Sequence, residues 1–218
     1  MSWPQFVKKG VGTRVSRLGE RVGIRPLQYN PWLFLTYHHL ALEDSEAVAC
    51  SFDELFPDAR RLLDVGAGSG AYAARMQEHG RDVLALEHSG AGRKMARKQG
   101  VASRPFDLSG EPPAELPGEF DLAYSFEVAE HLPPALGDRL VEFLAGAAPV
   151  VVFTAAPPGQ GGVGHVNEQP KSYWVERFTA ARMEHDEAGS QELADAFRRN
   201  GVGSSWFLIE NVMLYRSR

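Results

Sequence analysis

Leu62-Leu63-Asp64-Val65-Gly66-Ala67-Gly68-Ser69-Gly70 is the stretch whose reading decides the fold. An apolar run enters at Leu62 and Leu63, glycines follow at Gly66, Gly68 and Gly70, and a helical pattern starts near Ala71. This is a buried strand that turns sharply into a helix. Glycine reaches torsions closed to other residues and lets a ligand come close to the main chain. The helix beyond points its unpaired N–H groups back at the turn. Asp64 sits inside the strand's end, where a carboxylate orders the loop or accepts from a ligand amine.

Outward from this turn, strand and helix signals alternate. Strands are expected over 61–65, 82–87, 101–105, 121–126 and 149–155, and helices over 70–79, 91–99, 135–146, 172–181 and 190–199. Before them, a helical region runs from Tyr29 to about Phe56, with Pro31 suited to its first turn. The stretch from Trp206 to Tyr215 reads as β-rich and ends the chain. Such alternation predicts an α/β fold with a doubly wound, mostly parallel sheet covered on both faces. A ligand then belongs beyond the carboxyl ends of the strands.

Composition narrows the class. The chain has 218 residues, enough for one substantial core, with 44% hydrophobic and 23% charged residues. The single Cys50 excludes an internal disulfide framework, so a reducing cytoplasm is the expected location. No apolar stretch has the length of a membrane span, and no signal-peptide core appears near Met1. The net charge of −5 hides an asymmetry, because Lys8, Lys9, Arg14, Arg17, Arg21 and Arg25 precede an acidic body. Apolar residues interleave with these cations, which makes the arm a candidate for peripheral contact with an anionic membrane surface, a nucleic acid or a phosphorylated substrate. Gly10, Gly12, Gly19 and Gly23 weaken such a helix by about 1 kcal/mol each relative to alanine, and the other reading is a loose arm or lid packed on the acidic body.

Carboxylates follow the glycine turn at telling places. Asp82-Val-Leu-Ala-Leu-Glu87 is a second buried strand ending in an acid, placed to accept ribose hydroxyls. Asp107 follows the strand signal at Val101–Arg104, flanked by Phe106 and Leu108. In Phe120-Asp-Leu-Ala-Tyr-Ser-Phe-Glu-Val-Ala-Glu-His131, the strand ending at Phe126 delivers Glu127, Glu130 and His131 to the same edge. Glu127 and Glu130 share a helical face. A glycine-rich loop then presents His165, leading into a helix that opens with Tyr173 and Trp174.

The G-x-G-x-G spacing after Asp64 differs from the G-x-G-x-x-G of dinucleotide loops. It resembles the first motif of the class I S-adenosylmethionine-dependent methyltransferases. The resemblance covers roughly residues 50–218. It implies a Rossmann-like seven-stranded sheet with a reversed C-terminal strand, and S-adenosyl-L-methionine as cofactor. The implied cofactor residues are Asp64, Gly66, Ala67, Gly68, Gly70, Glu87, His88, Asp107, Leu108 and Phe126, with Glu87 at the ribose and Asp107 at the adenine amine. Residues 1–50 then form a basic arm and helical lid, and 51–218 the methyltransferase domain, in one structural unit overall.

Two readings stand for the E-x-x-E-H sequence. In one it is the common fourth motif of such enzymes, with Glu127 bordering the cofactor and Glu130 and His131 ordering the loop. In the other, Glu127, Glu130, His131 and His165 hold Mg²⁺, Mn²⁺ or Zn²⁺, which mixed carboxylate and imidazole donors suit. That set resembles the metal-dependent methyltransferases acting on ribose hydroxyls at RNA 3′ ends, and more loosely the ubiquinone-pathway O-methyltransferases. His131, His165 and Glu127 are the candidate catalytic groups, an imidazole serving as general base toward an alcohol. Tyr37, Tyr173 and Trp174 are the candidate acceptor-binding residues, with Tyr29, Trp32 and Phe34 beside Tyr37 in a lid.

The expected function is O-methylation of a small hydroxylated molecule such as a sugar, glycan precursor or natural product, by a monomer or homodimer. RNA ribose 2′-O-methylation is the alternative acceptor class, although an acidic body is a poor partner for phosphate. A non-catalytic cofactor-binding subunit is the third, and intact Asp64, Glu87 and Asp107 argue against it.

Overall fold

The computed structural model describes residues 14, 18, 31–110 and 120–218, with only the backbone of 31–34 and 36. The basic arm and Tyr29 otherwise lie outside the described residues, as do the side chains of Trp32 and Phe34. Helix α1 (Pro31–Leu55) leads into β1 (Arg61–Val65), α2 (Ala71–Glu78), β2 (Asp82–Leu86), α3 (Gly90–Lys98) and β3 (Ser103–Arg104). The second half contains β4 (Leu122–Phe126), a 3-10 turn (Ala129–His131), α4 (Pro134–Ala147), β5 (Val150–Thr154), α5 (Lys171–Ala180), β6 (Met183–His185), α6 (Glu187–Asn200), α7 (Trp206–Asn211) and β7 (Met213–Ser217). Among the described residues, no helix is long and apolar enough to cross a membrane.

The strands form one seven-stranded sheet in the order β3-β2-β1-β4-β5-β7-β6. Pairing is parallel through β3, β2, β1, β4 and β5, while β7 runs antiparallel to both β5 and β6. The order reverses at β1, whose neighbours are β2 and β4, so a crevice opens above its carboxyl end. That is where the glycine turn lies.

Period-two alternation builds a core on each face of the sheet. Leu62 and Val152 join Phe52 of α1 and Phe197 of α6 on one face. Leu63, Val151 and Phe153 join Leu140 of α4 with Trp174 and Phe178 of α5 on the other. Phe178 stacks on Tyr215 of β7 with ring centroids 3.9 Å apart. Burying one such ring contributes about 1.5–3 kcal/mol, so this stack holds the reversed strand in the sheet.

Helix α1 runs across residue 50 without a break, and Val48, Ala49, Ser51 and Phe52 are fully buried. The reading of 206–215 as β-rich needs correction over its first part, because Trp206–Asn211 is helical and only Met213–Ser217 is strand. The cause is tertiary. Asp44 of α1, itself buried, accepts from the backbone N–H groups of Gly203 (3.0 Å), Ser204 (3.3 Å) and Ser205. This external carboxylate caps the turn that starts the helix. β6 has only three residues and lies outside the strands expected from the sequence.

Candidate functional site

The glycine turn has the backbone its sequence requires. Gly66, Gly68 and Gly70 have φ of +83°, +55° and +74°, a region L side chains rarely enter. Gly66 also has no room for a side chain, since a Cβ there would lie 2.3 Å from Cγ2 of Val128. That contact joins the turn to the segment carrying Glu127 and Glu130. The N–H groups of Gly66 and Ala67 donate to the Leu86 carbonyl at 2.8 and 3.1 Å, fixing the turn to β2.

Glu87 continues from β2 and folds under this turn. Its Oε2 accepts from the Gly68 N–H at 2.7 Å and its Oε1 from the Ser89 N–H. Burial pushes its carboxyl up from the ordinary range, opposed by those two backbone donors. Each oxygen keeps a second lone pair, so two hydroxyls can still be received. Asp64 is buried at the end of β1, and burial pushes its carboxyl up to about 8. The Tyr124 hydroxyl is near enough to favour the charged form, yet outside hydrogen-bond geometry, while the Glu87 charge opposes it. A buried acid in this state is suited to receive a cation.

The other expected cofactor residues take varied places. Asp107 is exposed, with Oδ1 accepting from the Ser109 N–H and hydroxyl at 2.9 and 2.7 Å, and these bonds hold its carboxyl below the ordinary value. Leu108 packs half-buried against the core near Phe106. His88 exposes its imidazole, while its carbonyl and that of Glu87 accept from Arg93, which orders the chain after β2. Phe126 packs edge-on to Tyr72 of α2 and Phe52 of α1, forming the floor between strand and helices.

The E-x-x-E-H segment places its groups unequally. Glu130 is fully buried; the backbone N–H groups of Glu130 and Ala156 are near enough to favour its charged form, yet neither carboxylate oxygen meets hydrogen-bond geometry. Glu130, His131 and His165 each bring a donor atom within 4.8 Å of the other two, and the two imidazole rings meet edge to face at 4.8 Å. Burial raises Glu130 well above the ordinary carboxylate range, reinforced by the Glu127 charge. His131 is driven down to about 4 by burial and by His165, so its ring is neutral at physiological pH. That makes it a weak proton acceptor whose lone pair is free of a proton at that pH.

His165 is held from behind. Its Nδ1 lies 2.8 Å from Glu168 Oε1, and Glu168 also accepts from Gly159 and Gly161 N–H groups at 2.9 and 2.7 Å. A carboxylate partner assigns the proton to Nδ1 and leaves the lone pair on Nε2. Gly162 covers that side, where a Cβ would come within 2.2 Å of Nε2. An orphaned buried carboxylate with two neutral-capable imidazoles, one backed by a carboxylate, fits a divalent cation.

Glu127 borders this trio, close enough for its carboxyl to act on Glu130, but is not one of the three groups whose donor atoms lie within 4.8 Å of one another. Its φ of +53° is unusual for a side-chain-bearing residue, and Thr154 locks it by accepting its N–H at 2.9 Å through Oγ1. Its carboxylate accepts from Gln160 (2.7 Å) and Asn211 (2.9 Å), and Asn211 also donates to Gln160. Gln160, Asn211 and Glu168 escaped the sequence reading because only the fold brings them together. His38 escaped it too: its Nδ1 lies 3.0 Å from the Ser69 hydroxyl, so α1 touches the glycine turn. Tyr37, one turn-neighbour away, is 43% exposed. Tyr173 is half-buried under the Arg177 guanidinium, 3.2 Å from its ring centroid. Trp174 corrects the expectation of an acceptor contact, because it is completely buried against Phe153 and Tyr173. A large apolar ring at that helix position packs the sheet.

This strand order, the reversed β7, and a glycine turn between Asp64 and Glu87 define a class I S-adenosylmethionine-dependent methyltransferase fold. The chain belongs to the methyltransferase-domain family, whose model matches residues 38–201. It is 30% identical over 120 residues to a ubiquinone biosynthesis O-methyltransferase of Pseudomonas aeruginosa (strain UCBPP-PA14), across 52% of this chain and 47% of that protein. The chain thus spans about half the length of the curated relatives it matches. Among solved structures, S-adenosylmethionine-bound CalS10, an amino pentose methyltransferase from Micromonospora echinaspora, superposes with a TM-score of 0.62 at 18% identity, over 82% of this chain and 92% of that one. The sugar N-methyltransferase KedS8 from Streptoalloteichus gives 0.60 at 19% identity, over 80% and 87%. At such identities these likenesses speak for the fold alone.

Proposed function

We propose that this chain transfers the methyl group of S-adenosylmethionine to a hydroxyl of a small polyhydroxylated or catechol-like acceptor, using Glu130, His131 and His165 at the transfer edge. The observation that carries the proposal is the Glu130 carboxylate, buried without a partner beside two imidazoles. The O-methyltransferase relatives support the choice of oxygen, and the single cysteine agrees with a reducing, intracellular setting.

The acceptor hydroxyl gives up its proton to solvent, its oxygen attacks the sulfonium methyl carbon, the carbon–sulfur bond breaks, and S-adenosylhomocysteine leaves. Its leaving group is neutral and good, so positioning dominates the barrier. The turn at Gly66–Gly70 and the acids Asp64 and Glu87 hold the cofactor, with Asp107 and Leu108 toward its base. Glu168 fixes the tautomer of His165, so Nε2 is the lone pair this arrangement presents. Glu127, clamped by Gln160 and Asn211, borders the rim, where burial raises its carboxyl and those two donors oppose the shift. Glu130, His131 and His165 would hold a divalent cation, which when bound lowers the pKa of a coordinated hydroxyl. Exposed Tyr37 on α1, next to His38, supports a role in covering the acceptor.

Incubating the protein with methyl-labelled cofactor and a panel of catechols and sugars tests this. Transfer to oxygen, lost on chelation and restored by Mg²⁺, Mn²⁺ or Zn²⁺, supports the reading. Transfer unaffected by excess chelator removes the cation from it, and transfer only to amines removes the acceptor class. A vicinal ribose diol at an RNA terminus has the same chemistry, and labelling of RNA in place of small molecules would assign that acceptor.

A further inference from the structure

A second group of ligating side chains lies far along α1 from the glycine turn. Glu46 and Cys50 are one helical turn apart and share a face with Asp53, while His79 ends α2 beside them. Glu46, Cys50 and His79 each place a donor atom within 4.8 Å of the other two. The Cys50 Sγ to Glu46 Oε1 distance is 3.8 Å, and His79 Nε2 to the same oxygen is 3.4 Å. Zinc bonds of about 2.0–2.3 Å in a tetrahedron separate neighbouring donors by about 3.3–3.8 Å. The two donor distances to Glu46 are therefore those of a coordination shell, and the Cys50–His79 pair lies within 4.8 Å.

The surrounding residues orient these donors. His79 Nδ1 sits 2.6 Å from Asp53 Oδ2, and the other Asp53 oxygen accepts from Arg81 at 2.8 Å. Asp53 thus accepts from Nδ1, and Nε2 faces Glu46; the two carboxylates raise the imidazole above its ordinary value, so a metal bound here would displace a proton from Nε2. A carboxylate behind a histidine is the usual support of a metal-bound ring. Glu46 Oε2 is 3.2 Å from Arg75 Nε, which holds that carboxylate while Oε1 faces the thiol and imidazole. Arg75 is itself drawn to Glu78.

The geometry points to a zinc site formed by Glu46, Cys50 and His79, clipping α1 to α2. One thiol, one imidazole and one carboxylate select zinc over magnesium or calcium. Coordination forms a bond from sulfur to the metal and releases the thiol proton to solvent, so affinity falls as pH falls. Three protein ligands leave one position for water on the exposed side of Glu46. The clip lies at the opposite end of α1 from the His38 contact with Ser69, and so sets how that helix is seated over the glycine turn.

The test uses the full chain and Co²⁺ as a spectroscopic stand-in for zinc. Cys50 is the single cysteine, so a thiolate-to-cobalt charge-transfer band reports this site and is blind to Glu130, His131 and His165. The expected result is a band saturating at one equivalent, displaced by Zn²⁺, and absent in Cys50→Ser and His79→Ala. Asp53→Asn should weaken cobalt binding about 10–100-fold. Circular dichroism and cofactor binding of each variant establish that it is folded. No band, or a band that survives His79→Ala and Glu46→Ala in folded protein, overturns the site. A Glu130→Gln variant should keep the band, which separates this result from the fate of the transfer-site cation.

Discussion

Replacing Asp64 by asparagine should abolish a pH dependence of cofactor binding that the wild-type protein displays. Burial holds the Asp64 carboxyl at about 8, and a cationic amino-acid group is stabilised only by the ionised form. With that value, about one tenth of free molecules carry the charge at pH 7 and about one hundredth at pH 6. Affinity should therefore fall about tenfold per pH unit below 8, about 1.4 kcal/mol each. Above about pH 8 the ligand's own amine, near 7.7–8.0, loses its proton, so affinity peaks there. The sign is that of an acid whose folded value is raised: the ligand-free protein is favoured at low pH and loses stability as pH rises toward about 8. Calorimetric titration with S-adenosylhomocysteine at pH 6, 7 and 8, in buffers of different ionisation heat, measures both affinity and protons released. About one proton released per ligand at pH 6 is expected, and none in Asp64→Asn. A dissociation constant flat across this range, or the same slope in the variant, would refute the argument.

Other perturbations test separate parts of the site. Gly66→Ala places a methyl group against Val128 at a positive φ, and should cost about 1–3 kcal/mol of stability with loss of cofactor binding, read by thermal melts and calorimetry. Glu130→Gln removes a buried, partnerless carboxylate. It should lower methyl transfer about 100-fold or more, raise the melting temperature of metal-free protein, and leave cofactor affinity within about threefold. Gly162→Ala drives a methyl into His165 and should reduce kcat with little change in cofactor affinity. Trp174→Ala empties a fully buried site and should cost about 3–5 kcal/mol by chemical denaturation, confirming a packing role.

The parts legible in the sequence are those whose signals are local. The glycine spacing at 66–70 encoded torsions that only glycine reaches without strain, and alternating apolar runs fixed the strands and the two faces of the core. Asp64, Glu87 and Glu130 were visible because each ends or follows a strand, and strand ends converge in a doubly wound sheet. What escaped depended on contacts distant in sequence. Trp206–Asn211 became helical because Asp44, far upstream, caps its start. β6, three residues long, is too short to show alternation. The clamp of Gln160 and Asn211 on Glu127 exists only after β7 has returned to β5. Tyr173 and Trp174 are adjacent on one helix, and packing left one half-buried under Arg177 and sent the other fully into the core. The weak basicity of His131 follows from burial and from the neighbouring His165, and no motif encodes either.

The placement of the cofactor is tested most directly by a crystal structure of the protein with S-adenosylhomocysteine. The account predicts density along Gly66–Gly70, ribose hydroxyls on Glu87, the amino-acid end beside Asp64 and the sulfur facing the Glu130, His131 and His165 edge. Density that leaves Glu87 without a hydroxyl, or seats the ligand away from the carboxyl end of β1, would contradict it.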